Sequence, residues 1–150
     1  MEVLASLTAV LDRERAVVDE LVRLAEQKQV RIQDVEAVTE LTRQEQRLVR
    51  VLETAESERL ELCDVLAPGQ SLEQLIQNTV GGDSKLQETA AALRSGFGRL
   101  QVLNEANRAL LTETLAFAQF SVSLLTEQQV GTYARKGTTV HNKTLFDQKV

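Results

Sequence analysis

An all-α fold, an elongated antiparallel helical bundle or coiled coil, is what this sequence predicts, and three observations point to it. The 150 residues contain one proline and seven glycines, and these fall in clusters that leave long stretches free of helix breakers. Leu, Val, Ala, Glu, Gln and Arg dominate those stretches, most of them good helix formers. Apolar residues recur there at steps of three and four, the period of a helix, not at the step of two that marks a strand. The pattern divides the chain into a helical unit, 1–127, and a non-helical tail, 128–150. The helical unit comprises two long N-terminal helices, a short helix and a long C-terminal helix.

The first helix is expected over 2–28, where Leu4, Leu7, Leu11, Glu14, Val18, Leu21 and Ala25 fall on one stripe. At 1.5 Å per residue it is about 40 Å long. Residues 29–33 form a short connection of the kind that joins antiparallel neighbours. Asp34 is then the N-cap of a second helix with the stripe Val38, Leu41, Glu45, Leu48, Leu52, Ala55, Arg59, Leu62 and Leu66. Pro68-Gly69 ends it. The polar members Glu14, Glu45 and Arg59 are expected at the edge of the bundle, in contact with water or an opposite charge.

Ser71 and Gln74 have capping-box spacing and open a short helix, 71–78, with Leu72, Leu75 and Ile76 as its apolar face. Gly81-Gly82 stops it, and Asp83 or Ser84 caps the last helix, which carries Leu86, Leu93, Leu100, Leu103, Leu110, Phe117 and Leu124. Gly96 and Gly98 lie inside that helix, each at a cost of about 1 kcal/mol relative to Ala. They mark either a notch where another helix crosses closely or a flexible joint. From 128 onward Gly, Thr and β-branched residues break the periodicity, so an extended or mobile tail is expected. It contains Arg135, Lys136, Lys143 and Lys149 against Asp147, whereas residues 1–127 hold thirteen basic and twenty-one acidic side chains.

Composition excludes several functions. A single Cys63 forms no internal disulfide, and with the single His141 it supplies no metal or haem site, so no cofactor and no metal are expected. No nucleophile and base can be paired, and no glycine-rich phosphate loop follows a strand, which argues against an enzyme. A net charge of -5, with basic and acidic residues alternating on the helices, argues against nucleic-acid binding. The uncharged run 114–126 is 13 residues long, too short to span a bilayer, so no membrane insertion is expected. The N-terminus lacks the layout of a secretory signal, which places the chain in the reducing cytoplasm.

The candidate site is the second half of the last helix. At 100° per residue Leu110, Leu111, Leu115, Phe117, Ala118, Phe120, Val122, Leu124 and Leu125 occupy an arc of roughly 220°, about twice what one side of a core requires. Either this helix is the centre of its own bundle or part of the arc is kept for a partner helix. The long first and second helices, with narrow stripes, offer little bulk to wrap it. A groove for an amphipathic helix is therefore expected beside it, lined by Leu103, Asn107, Leu110, Leu111, Phe117, Phe120 and Leu124. Asn104 and Asn107 share one side, as a polar patch, a helix-to-helix hydrogen bond or a contact to a client backbone.

The run Leu103-Asn104-Glu105-Ala106-Asn107-Arg108-Ala109-Leu110-Leu111, then Leu115-Ala116-Phe117, Thr132-Tyr133 with Gly137, and Leu145-Phe146-Asp147-Gln148-Lys149-Val150 resembles the FlgN-type flagellar export chaperones in order and spacing. The long helical pair before it is similar in plan. The resemblance implies a non-enzymatic chaperone of flagellar type III protein export. Such a chaperone binds the C-terminal helical segments of hook-associated proteins, prevents their premature assembly and delivers them to the export gate and ATPase complex. It also implies that Tyr133, with Phe146, helps dock on the export gate or anchors the tail. The family's acidic or proline-containing turn is replaced here by Ala134-Arg135-Lys136. The alternative reading is a coiled-coil adaptor that uses the same apolar stripe to self-associate, for instance as a homodimer.

Overall fold

The computed structural model describes residues 2–78 and 84–130. Four helices account for nearly all of them: α1 (Glu2–Val30), α2 (Val35–Leu66), α3 (Leu72–Asn78) and α4 (Ser84–Val130). No strand occurs among the described residues. The expected all-α architecture is therefore found, and the expected signals set most helix ends. Asp34 caps α2, its Oδ1 accepting from Ala37 N at 3.1 Å. Ala67, Pro68, Gly69 and Gln70 form a tight turn closed by Gln70 N to Ala67 O at 3.1 Å. Pro68 suits the second position of that turn, and Gly69 takes the φ of +79° that its third position demands. The capping box before α3 is reciprocal: Gln74 N donates to Ser71 Oγ at 3.2 Å and Ser71 N donates to Gln74 Oε1 at 3.0 Å. The glycine pair 81–82 and Asp83 lie outside the described residues, as do Tyr133, Gly137, His141 and Phe146. α4 runs to Val130, three residues past the expected end of the helical unit at 127.

The helix at the centre is α1, not α4. Its buried residues Leu7, Val10, Leu11, Glu14, Val18, Leu21, Leu24, Ala25 and Lys28 exceed the single predicted stripe, because α2 packs against it on one side and α4 on another. α2 runs antiparallel to α1: Arg59 Nε donates to Glu14 Oε1 at 3.1 Å and Lys28 Nζ lies 3.5 Å from Glu45 Oε1. The two pairs share the same summed residue number, as one unbroken antiparallel register requires. α4 instead runs parallel to α1. Asp12 meets Lys85 and Thr89 at one end, and Asn107 Nδ2 donates to Ala25 O at 2.9 Å near the other. The crossover through α3 allows this, and Leu72, Leu75 and Ile76 of α3 pack against the core cluster that includes Leu7, Leu11, Cys63 and Leu86.

Of the polar stripe members, Arg59 is half-buried at the border of the seam, but Glu14 and Glu45 are not at the bundle edge as expected. Glu14 is 1% exposed and Glu45 8%. Each does find its opposite charge, Arg59 and Lys28 respectively, inside the α1–α2 seam. Long side chains placed at seam positions bury their own stems and exclude water from the pair between them.

The two glycines of α4 separate. A Cβ on Gly96 would lie 2.8 Å from Val18 Cγ1, whereas one on Gly98 would meet nothing within 4 Å. The helix runs unbroken through both, so Gly96 is the close-crossing notch. The structure offers no packing reason for Gly98. Gly98→Ala is accordingly expected to raise stability by about 1 kcal/mol through helix propensity alone. Gly96→Ala is expected to lower it by about 1–2 kcal/mol, because β-branched Val18 has one favoured rotamer in a helix and cannot step aside. Urea unfolding midpoints that move in opposite directions would bear this out; equal gains would mean that the notch is soft.

Candidate functional site: the free end of the last helix

In α4, residues 86, 89, 93, 96, 100, 103 and 107 fall at alternating steps of three and four, and all are buried or half-buried against the bundle. Past Asn107 the same seam continues as Leu110, Thr114, Phe117, Ser121 and Leu124. Its partner, however, ends. Ala25 stands level with Asn107, and α1 stops five residues later at Val30, itself 87% exposed. In step with α1, α4 passes that end at about residue 112. Residues 113–130 then extend roughly 27 Å beyond the bundle at 1.5 Å per residue.

The consequence is a helix end with its apolar side chains uncovered. Phe117 is 71% exposed, Phe120 61% and Leu125 62%, with Val122 and Leu124 also exposed. Leu110, Leu111 and Leu115, near the exit from the bundle, are half-buried. The predicted excess of apolar perimeter is therefore present, but the expected groove is not: among the described residues nothing stands beside 113–126 to form a second wall. The site is a free helix face. A cleft of about 580 Å³ does exist, but it lies between α1 and α2 at their turn, bordered by Arg23, Val30, Arg31 and Leu41 among others.

Two of the predicted site residues are placed elsewhere. Leu103 is 2% exposed and Asn107 3%, both inside the α1–α4 seam, so neither is on the open face. Of the roles considered for Asn107, the helix-to-helix hydrogen bond is the one found, to Ala25 O. Its Oδ1 has no hydrogen-bond partner among the described residues. Asn104, on the same side in the wheel projection, is exposed. Asn107, Lys28 and Glu45 together form a polar layer near the upper end of the core, and beyond it the free end of α4 begins. Leu110, Leu111, Phe117, Phe120 and Leu124 remain as the candidate surface. Val122 and Leu125, part of the apolar arc but absent from the expected contact set, belong to it by exposure.

The charge pattern fits this use. From Thr114 to Thr126 there is no charged residue, and Glu113 stands at the lower border. Such a surface holds a partner chiefly by apolar burial and shape, without ion pairs. With Glu113 admitted, α4 is also long and apolar enough, by length and composition, to cross a membrane, and none of the qualifying window is buried. No group of three or more His, Cys, Asp or Glu among the described residues is placed to hold a metal ion. Cys63 is a free thiol buried in the core, its pKa pushed up by burial.

The sequence model of a family described as FlgN protein matches residues 1–141. No curated protein matches the chain. No solved structure matches it either.

Proposed function

The chain belongs to the FlgN family of flagellar export chaperones, and from that footing we propose that the free end of α4 is its client-binding element. The client is the C-terminal amphipathic helical segment of a hook-associated protein, shielded in the cytoplasm from premature assembly and delivered to the export apparatus. The observation that supports this reading is the uncovered set Phe117, Phe120, Leu124 and Leu125 on a helix that has outrun its own bundle. Exposed apolar patches on a soluble protein mark interaction sites. This one is a single helix face, which a second helix matches in period and length.

The magnitudes are adequate. Four anchors of Leu or Phe size contribute about 1.5–3 kcal/mol each on burial. Ordering a disordered client costs about 2–5 kcal/mol before rigid-body entropy. At the upper end about 10 kcal/mol remains before rigid-body entropy, which leaves affinity in the micromolar range, tight enough for capture and weak enough for release. No catalytic step is assigned to the chain. Docking on the export gate through Tyr133 and Phe146 rests on the family resemblance.

Mixing the purified protein with a peptide from the C-terminus of a hook-associated protein is expected to give a 1:1 complex by light scattering, with a gain of helicity as the peptide orders. Absence of any complex at high micromolar concentrations, where the free face is accessible, would overturn the reading.

A further inference from the structure

We propose that the free end of α4, when no client covers it, lies in the headgroup region of an anionic phospholipid bilayer with its apolar face inward. The contact goes beyond the client reading and rests on the circumference, length and charge of this segment.

A partner helix covers about 100° of its neighbour, the width of an ordinary core stripe, whereas the apolar arc after Leu110 spans roughly 220°. The rest of the circumference is uncharged as well. Thr112, Ala116, Gln119, Ser123 and Thr126 form the opposite strip, and all five are exposed. Where α4 is docked, its water side instead carries Glu88, Arg94, Arg99, Glu105 and Arg108, likewise exposed. A helix that only docks on another helix keeps charges on its far side without penalty. One that sinks toward the acyl boundary sheds them, because each charge would have to leave water.

Length decides between lying on the bilayer and crossing it. α4 passes the length and composition test for a membrane span, and none of the qualifying window is buried. Its uncharged part, 114–126, is nevertheless 13 residues, about 20 Å, against a hydrocarbon core of about 30 Å. Glu113 and Glu127 close it at both ends. The segment therefore lies in the plane of the interface.

Charge selects the lipid. Residues 1–127 carry thirteen basic against twenty-one acidic side chains, and beyond them Arg135, Lys136, Lys143 and Lys149 stand against Asp147 alone. An anionic surface thus attracts the chain just past the free end and repels it at the bundle. Residues 113–130 project roughly 27 Å, several screening lengths of about 8 Å in physiological salt, so the acidic bundle can stand clear. Each basic residue near such a surface strengthens binding about 5-fold.

The test is flotation of the full chain, without client, on vesicles of two parts phosphatidylcholine to one part phosphatidylglycerol. Half of the protein is expected to float at roughly 0.1–1 mM lipid, the strength of a single acyl anchor. Phe117→Glu with Phe120→Glu, at exposed sites where folding is verified by circular dichroism, is expected to lower the partition by at least about 100-fold. Replacing Arg135, Lys136, Lys143 and Lys149 with Gln, or omitting phosphatidylglycerol, is expected to lower it by at least about 10-fold. The chain has no tryptophan, so Phe117→Trp and Gln119→Trp report from opposite sides of the helix. Brominated lipid is expected to quench the first several-fold more than the second.

A chain that stays out of the floated fraction overturns the proposal, whether the free face is then covered by a second copy, by residues 131–150 or only by a protein partner. Flotation undiminished by the paired Glu variant overturns it as well. So does equal binding without phosphatidylglycerol, or equal quenching at 117 and 119, the mark of a helix that spans. The two readings fail separately. If the client reading fails, the chain still floats but no hook-associated peptide forms a complex; if the bilayer contact fails, the peptide complex forms and nothing floats.

Discussion

Replacing Phe117 and Phe120 together by Ala is expected to weaken client binding by at least about 100-fold, the equivalent of about 3 kcal/mol for two rings that become buried only in the complex. The free protein is expected to lose almost none of its helicity or stability. Both rings are more than half exposed in the chain alone, so their removal creates no cavity, and Ala is a better helix former than Phe. The control is Leu103→Ala. Leu103 lies in the α1–α4 seam, and its truncation is expected to cost about 2–5 kcal/mol of stability. Isothermal titration beside urea unfolding separates the two classes. Large unfolding losses from the Phe pair with unchanged affinity would place those rings in the chain's own core and remove the basis of the proposed site.

This contrast also marks how far the sequence could be read. The stripes of α1 and α2, the Asp34 cap, the Ser71-Gln74 box and the Pro68-Gly69 stop were legible because each is a local pattern with a local cause. The surplus apolar arc after Leu110 was legible for the same reason. The division of α4 into a docked half and a free half was not, since it depends on where α1 ends relative to α4, a consequence of parallel packing through the α3 crossover. Leu103 and Asn107 therefore share the expected contact set with Phe117, although a neighbouring helix covers the first two and none among the described residues reaches the third.

The centrality of α1 left a fainter trace. Val10, Val17 and Leu24 recur every seven residues on its second side, and two of them, Val10 and Leu24, are fully buried. Reading that second seam would have identified α1 as the helix with two neighbours. The expected groove failed for a related reason. A groove requires two walls, and a helix that outruns its partner has only its own surface to offer.

Arg59→Ala is expected to be among the most destabilising single substitutions in the chain, and its cost is expected to depend on pH. Glu14 is 1% exposed, with Arg59 Nε on its Oε1 and no hydrogen-bond partner for its Oε2 among the described residues. Burial pushes its carboxyl above the ordinary value of 4.5, and the hydrogen bond and charge of Arg59 offset only part of that. A carboxyl raised in the folded state contributes its stability fully below the unfolded value and loses it as pH climbs through the folded value. Without Arg59 the folded value rises further, so the penalty for ionising Glu14 grows and the window of loss extends upward. The expected cost of Arg59→Ala is thus about 3 kcal/mol at pH 7.5, the order found when one partner of a buried ion pair is removed, and smaller at pH 4.5, where a carboxyl raised above that value is more than half protonated. Replacing both partners with apolar residues, Glu14→Leu with Arg59→Met, is expected to restore most of the stability and flatten its pH dependence. Urea unfolding at the two pH values decides the matter. An Arg59→Ala cost that is the same at both would mean that the guanidinium stem, and not its charge, holds the α1–α2 seam, and through α1 the platform from which α4 projects.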